Sequence, residues 1–143
     1  MDPRAYTAQI WDSGDSKFSA TNLDTIGLAV ARVLAKPAET ANRSVYISSF
    51  ETCLNEILEA EKKAMGVSEW KITRVNSDEK VKSALEELKT GSMVAMATLA
   101  LASEVKSGLH ADFATEGLLD NDLLGLPSDT VDSTVARVLK AYL

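Results

Sequence analysis

Cysteine and histidine are almost missing from this chain: Cys53 and His110 are each the only residue of their kind. One thiol cannot close an intramolecular disulfide. One thiol and one imidazole cannot supply a zinc site, so disulfide scaffolding and zinc chemistry are excluded and no metal is expected. Glycine is sparse and scattered. The seven glycines stand at 14, 27, 66, 91, 108, 117 and 125, and no group of them has the G-x-G-x-x-G or G-x-x-G-x-x-G spacing that lets a backbone approach a pyrophosphate. No dinucleotide cofactor is therefore expected on these residues. Long apolar runs are lacking too, since the longest, around Met93 to Ala102, falls well short of the roughly 20 residues of a membrane span and includes Thr98. Basic charge is in deficit: 15 Lys and Arg stand against 21 Asp and Glu, a net charge of −6. The basic residues occur singly or in pairs such as Lys62-Lys63, so neither a nucleic acid nor an anionic membrane surface is an expected partner. The start, Met1-Asp2-Pro3-Arg4, has no basic stretch leading into an apolar run, and the expected location is the cytosol.

What is present is ordinary globular material. A length of 143 residues, 45% hydrophobic and 25% charged, is enough for one domain spanning 1–143, with no repeat or low-complexity stretch. Ala5 to Ser19 alternates short apolar and polar residues about Ser13-Gly14-Asp15-Ser16, which predicts two extended arms joined by a turn. Leu23, Ile26, Val30, Val33 and Leu34 recur at helical spacing, with Thr21 or Asn22 to cap the start and Pro37 beyond the end. Ser44 to Ser49 reads as a short strand. Thr52 then opens a helix with Leu54, Ile57, Leu58 and Met65 on one side, ended by Gly66. Trp70 to Val75 reads as another strand, and Asn76-Ser77-Asp78 caps a helix carrying Val81, Ala84, Leu85 and Leu88. From Ser92 to Lys106 the pattern is apolar nearly all round, which predicts a helix buried on most faces. Leu109 to Pro127 is irregular, and Ser128 caps a last helix whose inward stripe is Val131, Val135, Val138, Leu139 and Tyr142. About five helices alternating with short strands give an α/β or α+β domain built on a small sheet.

This order of features resembles the NmrA-like, isoflavone-reductase-like branch of the atypical short-chain dehydrogenases. Ser13-Gly14-Asp15-Ser16-Lys17-Phe18 looks like that family's Gly-Asp-Gly-x-x-Lys turn, and Asn22-Leu23-Asp24-Thr25-Ile26-Gly27 resembles its Asp-Ile-Ala helix opening. Lys36-Pro37, Asn42 to Ile47, Leu54-Asn55-Glu56-Ile57, Glu61 to Gly66 and the tail from Thr130 to Leu139 follow in the family's order. The likeness covers essentially the whole chain but only the C-terminal, substrate-side half of a family member. It implies a truncated Rossmann-type reductase lobe whose glycine-rich nucleotide turn and catalytic lysine lie in the other half. It also implies a pocket for a small aromatic or polyketide-like molecule, lined by the apolar helix from Met93, so that Met96, Leu99 and Ala100 are candidate wall residues. Trp11, beside the turn that faces the substrate in family members, is a further ligand candidate.

Few side chains here could do chemistry. His110 is the one side chain of a type whose unperturbed pKa lies near neutrality, and Asp112 or Glu104 could fix its tautomer for general acid–base work. Glu116, Asp120 and Asp122 could share a proton or hold a cation, but they lack the spacing of a calcium loop, and a solvated loop explains them equally well. Cys53, near a helix start, has no neighbouring histidine in sequence to activate it. Trp70 reads as a packing residue. Three readings compete: a small-molecule binding module without nucleotide-dependent redox activity, a cofactor-independent cyclase, isomerase or dehydratase using His110, and a fragment with no independent activity. Helix faces and a sheet edge that would pack on a nucleotide-binding half need another cover, which predicts a homodimer.

Overall fold

The computed structural model describes residues 1–106 and 111–142, with Tyr142 described by its backbone alone. Tyr142 on the inward stripe and His110 as an acid–base group therefore lie outside the described residues. Strand β1 (Thr7–Trp11) pairs in parallel with β4 (Lys71–Val75), with Thr7 opposite Lys71 and Trp11 opposite Val75. Parallel neighbours need a long crossover. Here it consists of β2 (Phe18–Ala20), α1 (Leu23–Ala35), α2 (Pro37–Thr40), β3 (Phe50–Thr52) and α3 (Leu54–Met65). β2 and β3 form a separate antiparallel ribbon. After β4 come α4 (Ser77–Leu88), α5 (Met93–Val105), α6 (Asn121–Leu124) and α7 (Val131–Tyr142). The result is an α/β domain of short strands with seven helices among the described residues, five of them 12 or 13 residues long.

The alternation along β1 sets the layers. Ala8 and Ile10 point to one side and pack on Leu58 of α3, with Leu54 and Trp70 against them. Trp11 points to the other side and packs on Ala102 and Val105 of α5, joined by Phe18, Val75 and Val81. A third cluster joins α3 to α7 through Ala60, Val135 and Leu139. Local signals fix several boundaries as their chemistry demands. Asn76 accepts the Glu79 N–H at 3.0 Å, Ser92 accepts that of Ala95 at 3.2 Å, and Gly66 closes α3 with a φ of 66°. Pro37 begins α2, where its missing N–H costs nothing.

The expected turn about Gly14 joins two strands, β1 and β2, which do not pair with each other. Residues 12–17 are tied to α3 and α4 rather than across a hairpin, so β1 and β2 enter different sheets. The stretch Ser44 to Ser49 contributes only a bridge from Tyr46 to Leu119, and the strand lies at Phe50–Thr52. The Asn121 side chain accepts the Ser48 N–H at 3.1 Å and donates to the Ser48 carbonyl at 2.6 Å, which satisfies that backbone without a ladder.

In α1 the buried residues are Thr25 and Ala29, whereas Leu23 is 83% exposed and Leu34 76%. The Ser49 hydroxyl holds Thr25 at 3.0 Å and turns the large aliphatics outward. In α5 only Ala95, Ala102 and Val105 are buried, because small side chains let it lie close to α4, while Met93 and Val94 are each 73% exposed. In α7, Thr130 rather than Ser128 caps the start by exchanging bonds with Ser133, and Val138 faces outward at 55% exposure.

Candidate functional site

The best-built feature is the turn that leaves β1. Asp12 has a φ of 51° and Gly14 one of 83°, both in the left-handed region, and the surrounding helices hold the chain there. The Asp12 carboxylate accepts the Ser77 N–H at 2.9 Å, so one carboxylate fixes the turn and stabilises the start of α4. Hydrogen bonds from the Ser77 hydroxyl and N–H hold its pKa below the ordinary carboxylate range, with a smaller contribution from the charge of Lys106. Arg74 donates to the Asp12 and Ser13 carbonyls at 3.2 and 2.7 Å. From the opposite side, Asn55 of α3 donates through its amide side chain to the Ser13 carbonyl at 3.0 Å and to Asp15 at 2.6 Å. Its backbone N–H donates to the Gly14 carbonyl at 3.1 Å. Lys17 and Glu56 form an ion pair beside the turn, which raises the lysine's pKa and lowers the carboxyl's.

Beside this clamp lies a cleft of about 340 Å³. Thr7, Gln9 and Trp11 alternate along one face of β1 to form its floor; Leu54 of α3, Leu101 of α5, Met1 and Asp2 complete it. Trp11, Leu54, Leu101 and Met1 give it apolar surface and Thr7, Gln9 and Asp2 polar groups, the pattern of a small-molecule site, where greasy surface supplies affinity and a few polar groups set orientation. Trp11 itself is buried, so it shows the cleft only part of its ring.

Of the expected ligand residues, Trp11 lines the cleft, and α5 reaches it through Leu101. Met96 and Ala100 are exposed and Leu99 is half-buried on the same helix, none of them lining this cleft. Thr7, Gln9, Leu54 and Leu101 were not singled out from sequence. The alternation of Thr7, Gln9 and Trp11 against Ala8 and Ile10 carried the signal for the first two, whereas an all-round apolar helix offers no periodicity that would choose Leu101.

The expected chemical residues that are described do not converge on this cleft. Both carboxylate oxygens of Asp112 are engaged by Thr115, its N–H at 3.1 Å and its hydroxyl at 2.7 Å, and Glu104 is exposed. Asp120 pairs with Arg43 through two bonds of 3.0 and 2.7 Å and also accepts the Tyr46 N–H at 3.2 Å. Cys53 is a buried free thiol at the start of α3. Trp70 packs edge-on against Tyr6 at 5.9 Å. Among the described residues, no three His, Cys, Asp or Glu side chains gather to hold a metal, and no helix is long and apolar enough to cross a membrane.

Comparison with known proteins adds a lineage. The chain is 32% identical over 133 residues, 93% of its own length, to a protein named oxidoreductase aprR from Aspergillus flavus. It is 34% identical over 136 residues, 94% of its length, to one named oxidoreductase poxI from Penicillium oxalicum. These stretches make up 44% and 43% of the two relatives, so the chain spans less than half the length of the curated proteins it matches. No family model and no solved structure matches. The chain is thus related, over nearly all of its own length, to part of proteins named oxidoreductases.

Proposed function

We propose that this chain binds a small, flat organic molecule in the cleft beside Trp11, as the substrate-side part of an NmrA-like, isoflavone-reductase-like fold, and that these residues alone carry out no nucleotide-dependent redox reaction. The observation behind this reading is the clamped turn: five named hydrogen bonds from Asn55, Arg74 and Ser77 fix the residues that follow Trp11, at the rim of a partly polar cleft. A site held this way loses little conformational entropy when a ligand arrives. Relatives named oxidoreductases support the reading, and the scattered glycines support the lack of a nucleotide turn. In the same reading Leu101 supplies the α5 wall, and Met96, Leu99 and Ala100, on the same helix, meet only a ligand that extends beyond this cleft. It places the protein in the cytosol, where Cys53 would stay reduced. It also makes the protein a homodimer, because the outward aliphatics of α1 and α5 form apolar faces that favour a cover.

The acid–base alternative, with His110 oriented by Asp112 or Glu104, has less behind it, since Thr115 already occupies Asp112. The test is fluorescence of a Trp70→Phe variant, in which Trp11 is the only indole, titrated with a panel of flavonoids and hydroxylated naphthalenes and separately with NADPH. Saturable quenching by a panel member and none by NADPH is the expected result. Saturable NADPH binding, or no response to any aromatic, would overturn the proposal.

A further inference from the structure

A second hollow, of about 210 Å³, lies farther along α3, between that helix, α7 and the β2–β3 ribbon. Its walls include Phe50, Ile57, Val135 and Leu139, and Thr52 and Glu61 supply polar groups. Glu61 is out of place in such company. Its Oε2 is shut off from solvent and has no hydrogen-bond partner among the described residues. A carboxylate oxygen so placed loses its hydration and receives nothing in return, a cost that folded proteins usually avoid by pairing the group. Burial accordingly pushes the Glu61 carboxyl above its ordinary range, opposed only by the more distant charge of the N-terminal ammonium. Most of the residues that share the hollow with Glu61, among them Phe50, Ile57, Val131, Val135 and Leu139, are apolar.

We propose that this hollow is a second binding site, distinct from the Trp11 cleft, which takes a compact apolar ring bearing a cationic amine whose charge the Glu61 carboxylate balances. The size fits. A dry cavity of about 150 Å³ lined by aliphatic side chains holds benzene, so this space accommodates one ring with a short substituent. The chemistry fits as well: an ammonium in the hollow both donates to the Glu61 carboxylate and neutralises its charge, whereas a neutral donor does only the first. The site stands independently of the proposed cleft ligand, since the two hollows share no lining residue.

The experiment is a methyl NMR titration with benzylamine, benzyl alcohol and toluene, which keep the ring and change only the group that meets Glu61. All three should shift the Ile57, Val135 and Leu139 methyls, with benzylamine binding at least about tenfold tighter than toluene, the scale of one charge-assisted hydrogen bond in a partly buried site. In Glu61→Gln that preference should vanish while toluene binding persists. A Val138→Phe variant, which plugs the rim, should lose all three. Equal affinities in the native protein, a benzylamine preference that survives Glu61→Gln, or no saturable shift at these methyls would each overturn the proposal. Shifts confined to Leu54 and Leu101 would report the Trp11 cleft and would likewise overturn it.

Discussion

Replacing Gly14 by alanine tests whether the turn after β1 is as tightly built as its hydrogen bonds imply. At a φ of 83° any L side chain is strained, and an alanine Cβ would lie 2.5 Å from Cγ2 of Ile10 and 2.6 Å from Oδ1 of Asn55. Ile10 is completely buried and Asn55 is held by its own bonds to Ser13 and Asp15, so neither neighbour can retreat cheaply. The left-handed backbone costs a non-glycine residue about 1–2 kcal/mol, and forcing a methyl into a filled site adds about 1–3 kcal/mol. Gly14→Ala should therefore lose roughly 2–5 kcal/mol, a large part of the roughly 5–15 kcal/mol that holds a typical domain together.

Gly66 supplies the control. Its φ of 66° carries the same backbone strain, but a Cβ there would meet nothing within 4 Å. Gly66→Ala should lose only the backbone part, about 1–2 kcal/mol. Urea denaturation of both variants and the native protein, at a common slope, gives the comparison directly. Equal losses at the two sites would refute the steric argument and mean that the turn moves freely against Ile10 and Asn55.

Two further outcomes are expected. Asp120, held below the ordinary carboxylate range chiefly by its hydrogen bonds from Arg43 and also by the Tyr46 N–H, contributes stability that is complete above its unfolded pKa, near 3.8, and is lost as pH falls through its lower folded value. Asp120→Asn should lower the Tm at pH 7 and make the Tm fall less between pH 5 and pH 2 than in the native protein; parallel acid limbs would contradict this. For the homodimer, sedimentation velocity at micromolar concentration should show a two-chain species that Leu34→Glu, an outward position on α1, shifts toward one chain; a native protein that is strictly monomeric would end that proposal.

Much of the fold was legible because the local chemistry is strong. Asn76, Ser92 and Gly66 end or begin helices for reasons that depend on three or four residues, and the helices stand where those residues put them. Which side of a helix faces inward was less legible. In α1 the large aliphatics predicted the core side, yet Thr25 and Ala29 face inward, because the Ser49 hydroxyl, 24 residues further along the chain, binds Thr25. Periodicity reports that a helix has an apolar stripe and is silent on whether the rest of the chain reaches it. The candidate site was legible at Trp11 and at the Gly14 turn, and not at Asn55, Arg74 or Ser77. Those three act through contacts spanning 40 to 65 positions of sequence, where no local pattern marks a polar residue as a clamp rather than a solvated one.

The two hollows share a cause, which is the way α3 is divided along its length. Its first turn faces β1: Leu54 enters the Trp11 cleft while Asn55 and Glu56 hold the turn and Lys17. Over the next two turns, Ile57, Ala60 and Glu61 face α7 and the ribbon. A helix rises 1.5 Å per residue, so Leu54 and Glu61 stand about 10 Å apart along one rigid rod. Leu58, between them and almost wholly buried, fixes that rod on Ala8 and Ile10. A change that loosens Leu58 should therefore degrade both sites together, whereas changes at Asn55 or Glu61 should each affect only one.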